Sequence, residues 1–295
     1  MKPNAEVRID RLLAQALLAE QHADLAELPL TAVGEGWDNA LFRLGVDMAI
    51  RLPRRSAAAQ LIAHEQRWLP QLAERLPLPV PVPLRRGRPG CGFPWPWSIV
   101  SWCHGTDVLR TTPSSIESTA VSLGQFVRAL HVPAPAGAPT NPWRGVPLDA
   151  RSPGLHEHVL ALGDVRQRRT ILDLWHHAVS AAAWPGPPLW IHGDLHPGNL
   201  LIRDGQLGAV IDFGDLTAGD PATDLSIAWM LFPRSVRPLF RAAARGDADP
   251  IDDATWMRAR GWALALGLTF TTAASKDEVL AALGRSTVSA ALTDH

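Results

Sequence analysis

Apolar residues change their spacing several times along the first third of the chain, and each change marks an element. Within residues 7–20, Leu12, Leu13, Ala16 and Leu17 fall at i, i+1, i+4 and i+5 among charged positions, which predicts a helix with one apolar side. Residues 30–52, LTAVGEGWDNALFRLGVDMAIRL, predict three strands joined by a glycine turn and by Gly45-Val46-Asp47. Helical spacing returns over 56–75 through Leu61, Ile62, Glu65, Trp68, Leu69 and Leu72, with Ser56 as N-cap and Pro70 predicting a kink or an early end. Prolines alternating with apolar residues over 76–83 predict an extended connection, and 97–102 a short buried strand. Helices dominate beyond Pro113: 115–131, then 153–183 after a proline-rich loop, 221–232, 236–246 and 252–272. A strand-rich first third and a helix-rich remainder predict an α+β fold of two lobes, an N-terminal lobe over 1–102 and a C-terminal lobe over 103–295.

Composition narrows the partners. The 295 residues are 46% apolar, enough for a substantial core. A net charge of −1, from 28 basic and 29 acidic residues, leaves no electrostatic footprint for nucleic acid or an anionic membrane. Lys2 and Lys276 are the only lysines, so a cationic contact to phosphate in the interior must come from arginine. Two cysteines, Cys91 and Cys103, are too few for a disulfide framework or a self-contained zinc site. Glu6, Arg8, Asp10 and Arg11 interrupt any apolar signal core, and no stretch reaches the length of a membrane span. The expectation is a soluble cytoplasmic protein, monomer or homodimer.

The chemistry concentrates after residue 188. A short apolar strand, Leu189-Trp190-Ile191, leads into His192-Gly193-Asp194-Leu195-His196-Pro197-Gly198-Asn199. Two further apolar runs, joined by the turn 203–206, then deliver Asp212-Phe213-Gly214-Asp215. An alcohol attacking the γ-phosphoryl of ATP needs a carboxylate to orient it and accept its proton, and oxygen ligands to hold Mg²⁺ on the phosphates. Asp194 fits the first role, Asn199 and Asp212 the second. Other readings stand beside this one. Asp194 can serve as a loop carboxylate bonding to backbone amides. His192-x-Asp194-x-His196 has the form of a hydrolase metal cluster, though it lacks further His or Cys ligands at recognisable spacing. His192 reads as structural, as do Asp220 and Asp224, the first as a helix cap or loop anchor and the second in a first helical turn.

Through these residues the chain resembles protein kinases, and more closely the aminoglycoside phosphotransferase family. The kinase loop H-R-D-x-x-x-x-N has its spacing kept by His192-Gly193-Asp194 through Asn199, with Gly in place of Arg, and Asp212-Phe213-Gly214 stands where the second metal-binding carboxylate lies. The resemblance covers residues 30–230 and implies a bilobal kinase-like fold. It implies Asp194 as catalytic base, Asn199 and Asp212 as magnesium ligands, and ATP, with GTP as an alternative, as phosphoryl donor. It also points to a nucleotide side: Gly34 and Gly36 as phosphate cover, and Arg51 where the kinase lysine stands, paired with Glu65. The backbone from Ser101 to Cys103 is where adenine would bond. Arg54 and Arg55 are rivals to Arg51 for the phosphate contact.

The acceptor expected from the resemblance is a hydroxylated small molecule, an aminoglycoside or related antibiotic. Choline- or homoserine-like alcohols and a nucleotide-binding pseudokinase are the alternatives. Asp247, Asp249, Asp252 and Asp253 form an acidic cluster suited to a polycation, or simply a solvated loop before a helix. Trp229, Trp256 and Trp262 stand either in a pocket wall or in the core.

Overall fold

The computed structural model describes residues 3–245, 251–273 and 277–294. Asp247 and Asp249 of the acidic cluster lie outside the described residues, as do Lys2 and Lys276. The chain forms two compact units, residues 1–104 with 209–216, and residues 105–208 with 217–295.

The first unit begins with α1 (Arg11–Gln21), whose first turn is capped by the Asp10 carboxylate accepting from Leu13 N–H at 3.0 Å. Strands β1 (Leu30–Glu35), β2 (Asn39–Leu44) and β3 (Met48–Pro53) follow, then α2 (Ser56–Ala73), β4 (Pro83–Gly87) and β5 (Trp97–Ser101). They make one antiparallel sheet in the order β1-β2-β3-β5-β4. Alternation along β2 sends Ala40, Phe42 and Leu44 inward. There they meet Leu17 and Leu18 of α1, Ile50 and Leu52 of β3, and the fully buried Trp97 and Ile99 of β5. Trp97 lies so close to β4 that a Cβ on Gly87 would stand 1.9 Å from its ring.

Ser56 is not the cap of α2; Arg55 holds that position, and the Ser56 amide donates instead to Glu6. Pro70 lies inside the helix without ending it. A proline has no N–H for the carbonyl four residues back. Here that carbonyl, Gln66 O, accepts from the Arg86 guanidinium at 2.6 Å.

The second unit contains β6 (Thr106–Asp107), α3 (Ile116–Leu130), α4 (Ser152–Leu160), α5 (Val165–Ser180), β7 (Leu189–Ile191) and β8 (Leu200–Arg203). Strand β9 (Gln206–Val210) starts there and ends in the first unit. After it come β10 (Thr217–Gly219), α6 (Ala222–Leu225), α7 (Ile227–Leu231), α8 (Arg237–Ala244), α9 (Asp253–Ala273) and α10 (Glu278–Leu292). The helix expected over 153–183 is two helices, because Gly163-Asp164 interrupts it and the Asp164 carboxylate caps α5. Helix α9 packs against α4, α5, α6 and α10, and its residues from 261 to 268 are all buried. A helix apolar on every side is a core helix. Trp262 is fully buried in it, and Trp229 and Trp256 are buried as well. Among the described residues no helix is long and apolar enough to cross a membrane.

Candidate active site

In the second unit, β7 and β8 bracket residues 192–199 as expected, but they belong to different sheets. β7 pairs with β10, and β8 lies between β6 and β9. The β8–β9 turn places Asp204 and Gly205 at φ 53° and 77°, the Asp-Gly signature of a tight hairpin. Gly193 has φ 84°, a left-handed conformation that glycine adopts without strain.

The loop is fixed from its buried side. Asp224, with no exposed surface, accepts from the amides of His192 (2.7 Å) and Gly193 (2.9 Å) and contacts His131 Nε2 at 3.1 Å. Burial opposes its ionisation, yet His131 and then His192 hold the carboxyl below its usual value. The Asp194 amide donates to His192 Nδ1 at 3.3 Å, and Gly198 N–H donates to His196 Nδ1 at 3.1 Å. Both imidazoles therefore spend a nitrogen on the loop itself, which argues against the hydrolase metal reading. Among the described residues no group of three His, Cys, Asp or Glu is placed to hold a metal.

Asp194 keeps 27% of its side chain exposed. Arg144 donates to its Oδ1 at 2.9 Å, and His196 Nε2 lies 3.5 Å from its Oδ2. Burial would raise this carboxyl, but the charge of Arg144, followed by His196 and His192, holds it well below the usual carboxylate range. Asn199 donates from Nδ2 to the Asp194 carbonyl at 2.8 Å. That bond engages the amide nitrogen of Asn199 and not its Oδ1.

In the first unit, Arg51 and Glu65 form a buried ion pair between β3 and α2, and Arg51 Nη2 lies 3.7 Å from Asp212 Oδ1. Burial pushes the Glu65 carboxyl up to about 7, with Arg51 opposing that rise. Asp212 has a left-handed backbone, φ 64°, and a side chain 57% exposed. A strained non-glycine residue of this kind is typical of functional positions. Gly34 has φ 152°, and nothing lies within 4 Å of where its Cβ would be. Gly36 N–H closes the turn onto Asn39 O at 2.8 Å. Arg54 and Arg55, rivals to Arg51 on sequence, instead hold this turn: Arg54 pairs with Glu35 (3.1 Å) and donates to Trp37 O (3.2 Å), and Arg55 pairs with Asp38 (2.5 Å). The Ser101 hydroxyl is taken up by Val80 O (3.1 Å) and Val82 N–H (2.9 Å). Cys103 is partly buried, with its thiol pushed up to about 11 by that burial. Both cysteines are free.

Sequence reasoning missed Arg144 and gave Asp224 only a place in a helical turn. Arg144 lies in a proline-rich loop with no periodicity, and the partners of Asp224 are 31 to 93 residues away.

The chain resembles several solved structures across nearly its full length. An aminoglycoside 2'-phosphotransferase-IIIa, solved with GDP, shares 19% identity at a TM-score of 0.72, covering 97% of this chain and 99% of that one. Macrolide 2'-phosphotransferase MphH from Brachybacterium faecium shares 22% at 0.65, covering 95% and 98%. At this identity the likeness establishes a shared kinase-like fold. An uncharacterised protein of Bacillus subtilis, YcbJ, is 35% identical over 65 residues, a stretch that spans only 21% of either chain. The model of the phosphotransferase enzyme family matches residues 29–262, most of the sequence, and the chain belongs to that family.

Proposed function

We propose that this chain transfers the γ-phosphoryl group of ATP, or of GTP, to a hydroxyl of a small molecule. The observation that carries the reading is the Asp194–Asn199 pair, joined at 2.8 Å in a loop fixed by the buried Asp224. Asp194 orients the hydroxyl and takes its proton as the new O–P bond forms and the bond to the bridging oxygen of the departing diphosphate breaks. A depressed carboxyl suits a group that positions the alcohol and accepts its proton late. The Arg51 guanidinium, held by Glu65, supplies the cation for the donor phosphates. Asp212 and the Asn199 amide oxygen are hard oxygen donors suited to Mg²⁺ rather than zinc. Magnesium held by such ligands would neutralise phosphate charge.

Solved proteins of this fold include aminoglycoside and macrolide phosphotransferases, which supports a natural-product alcohol as acceptor. The described part of the acidic cluster does little for a polycation. Asp252 is the cap of α9, accepting from Thr255 N–H at 2.7 Å, and Asp253 pairs with Arg241 at 3.0 Å.

The test is ADP release from Mg·ATP across aminoglycosides, macrolides, peptide antibiotics and small metabolic alcohols. Turnover with one class is expected, and Asp194→Asn should lower it about 100- to 10,000-fold. Neither nucleotide-dependent thermal stabilisation nor ADP release with any compound would sink the reading. A retained rate in Asp194→Asn would show that another group is the base.

A further inference from the structure

The loop that brings Arg144 to Asp194 is built as firmly as a strand. Pro139 O accepts from Ala218 N–H at 2.9 Å and from the Thr217 hydroxyl at 2.8 Å. Gly145 N–H donates to Thr223 Oγ1 at 3.1 Å, and Gly145 O accepts from Asp220 N–H at 3.0 Å. Gly145, at φ 67°, packs so tightly on β10 that a Cβ on Gly219 would stand 2.4 Å from its oxygen. Arg144 is thus delivered to the catalytic carboxylate by design of the backbone, and its guanidinium touches Asp194 at 2.9 Å.

A second arginine, Arg151, follows at the end of the short 3-10 helix Leu148–Arg151 that leads from this loop into α4. Arg151 lies with its guanidinium carbon 5.5 Å from the ring centre of Trp143 and 5.9 Å from that of Trp262. Its Nε is buried with no hydrogen-bond acceptor among the described residues, and so is the indole N–H of Trp262, a fully buried residue. Native interiors rarely leave such donors unmatched. Burial, and after it the like charge of Arg144, depresses Arg151. Arg144 has a carboxylate partner in Asp194, whereas Arg151 has aromatic faces and, among the described residues, no carboxylate partner within 4 Å. Arg151 is partly buried, so water can satisfy the idle donors, and a bound anion would satisfy them and offset the charge as well.

We propose that Arg151, with Arg144, forms an anion-recognition site for the acceptor, so that the acceptor carries a carboxylate or phosphate group in addition to the hydroxyl it offers. This rests on the phosphotransferase reading above, and deepens it. The acceptor's anion takes the planar fork of Arg151 and draws on Arg144, releasing Asp194 Oδ1 for the incoming hydroxyl. A polycation meets the Arg151 guanidinium here, which no carboxylate offsets among the described residues, and is disfavoured. Specificity in this account comes from arginine charge on the acceptor side rather than from an acidic surface.

The experiment uses the intact protein at saturating Mg·ADP, so that the nucleotide side is filled. It is titrated separately with malonate and with inorganic phosphate at constant ionic strength, and thermal stability is read. A saturable rise in Tm is expected with at least one anion, and sodium chloride at equal ionic strength should not reproduce it. The stronger arm identifies carboxylate or phosphate as the recognised group. Arg151→Met should weaken the apparent affinity about ten-fold or more, and Arg144→Met should weaken it as well. If Arg151→Met does not fold, Arg151→Lys keeps the charge and loses the fork, and a several-fold weakening is expected there. Absence of saturable stabilisation by both anions, or unchanged affinity in the Arg151 variants, overturns the proposal. Stabilisation by Mg·ADP, read in the same series, tests the kinase reading separately: a protein that ignores Mg·ADP yet binds malonate through Arg151 overturns that reading and not the anion site.

Discussion

Asp224 shows how much one buried carboxylate can organise. It accepts from two consecutive loop amides and contacts His131, and it is wholly enclosed. Removing its charge leaves those partners stranded, so Asp224→Asn should cost about 3 kcal/mol at neutral pH, read by urea denaturation. The pH dependence has a defined sign. The folded carboxyl lies below its unfolded value of about 3.9, so its contribution is complete above roughly pH 5 and is lost as pH falls through the folded value. The gap between wild type and Asp224→Asn should therefore narrow below about pH 4. A gap that stays constant into stronger acid would refute this linkage. Asp194, Asn199 and Asp212 were legible as candidates because their spacing is local and chemically specific. The partners of Asp224 come from the C-cap of α3 and from the loop after β7, and no local pattern announces them.

Elements were legible where periodicity was clean and obscure where a tertiary partner overrode a local signal. Strand β2 follows its alternation, whereas β1 is exposed along most of its length and β3 and β5 are buried along most of theirs, as continuous apolar runs. Pro70 stays inside α2 because Arg86, 16 residues later, takes the carbonyl that proline abandons, and a reading of 56–75 alone has no access to that arginine. Strand β10 was missed because Thr217-Ala218-Gly219 is three residues long and has no alternation to read. Its glycine nevertheless governs the site. Gly219→Val would drive a side chain into the Gly145 backbone, which cannot yield as a flexible side chain would. The expected result is a loss of about 1–3 kcal/mol in stability and a lower rate of ADP release as the Arg144 loop moves. Wild-type turnover and stability in this variant would show that the contact at Gly145 is not the constraint inferred here.

On the proposed function the two units divide the chemistry, and substitutions should separate it. Asp212 belongs to the first unit and Asp194 to the second. A ligand at 100 times its Kd stabilises a protein by about 2.7 kcal/mol. Asp212→Asn should lose much of the stabilisation that Mg·ATP gives, whereas Asp194→Asn should keep it while losing turnover. Equal loss of nucleotide stabilisation in both, measured by thermal shift, would contradict this division of labour. The return of residues 209–216 to the first unit also bears on how the protein comes into being. The segment 213–215 packs on α2, yet the ribosome makes α2 some 140 residues before it. The first unit is therefore the earlier part to emerge and the later part to be finished, and its last piece arrives only after the loop 192–199 has been synthesised.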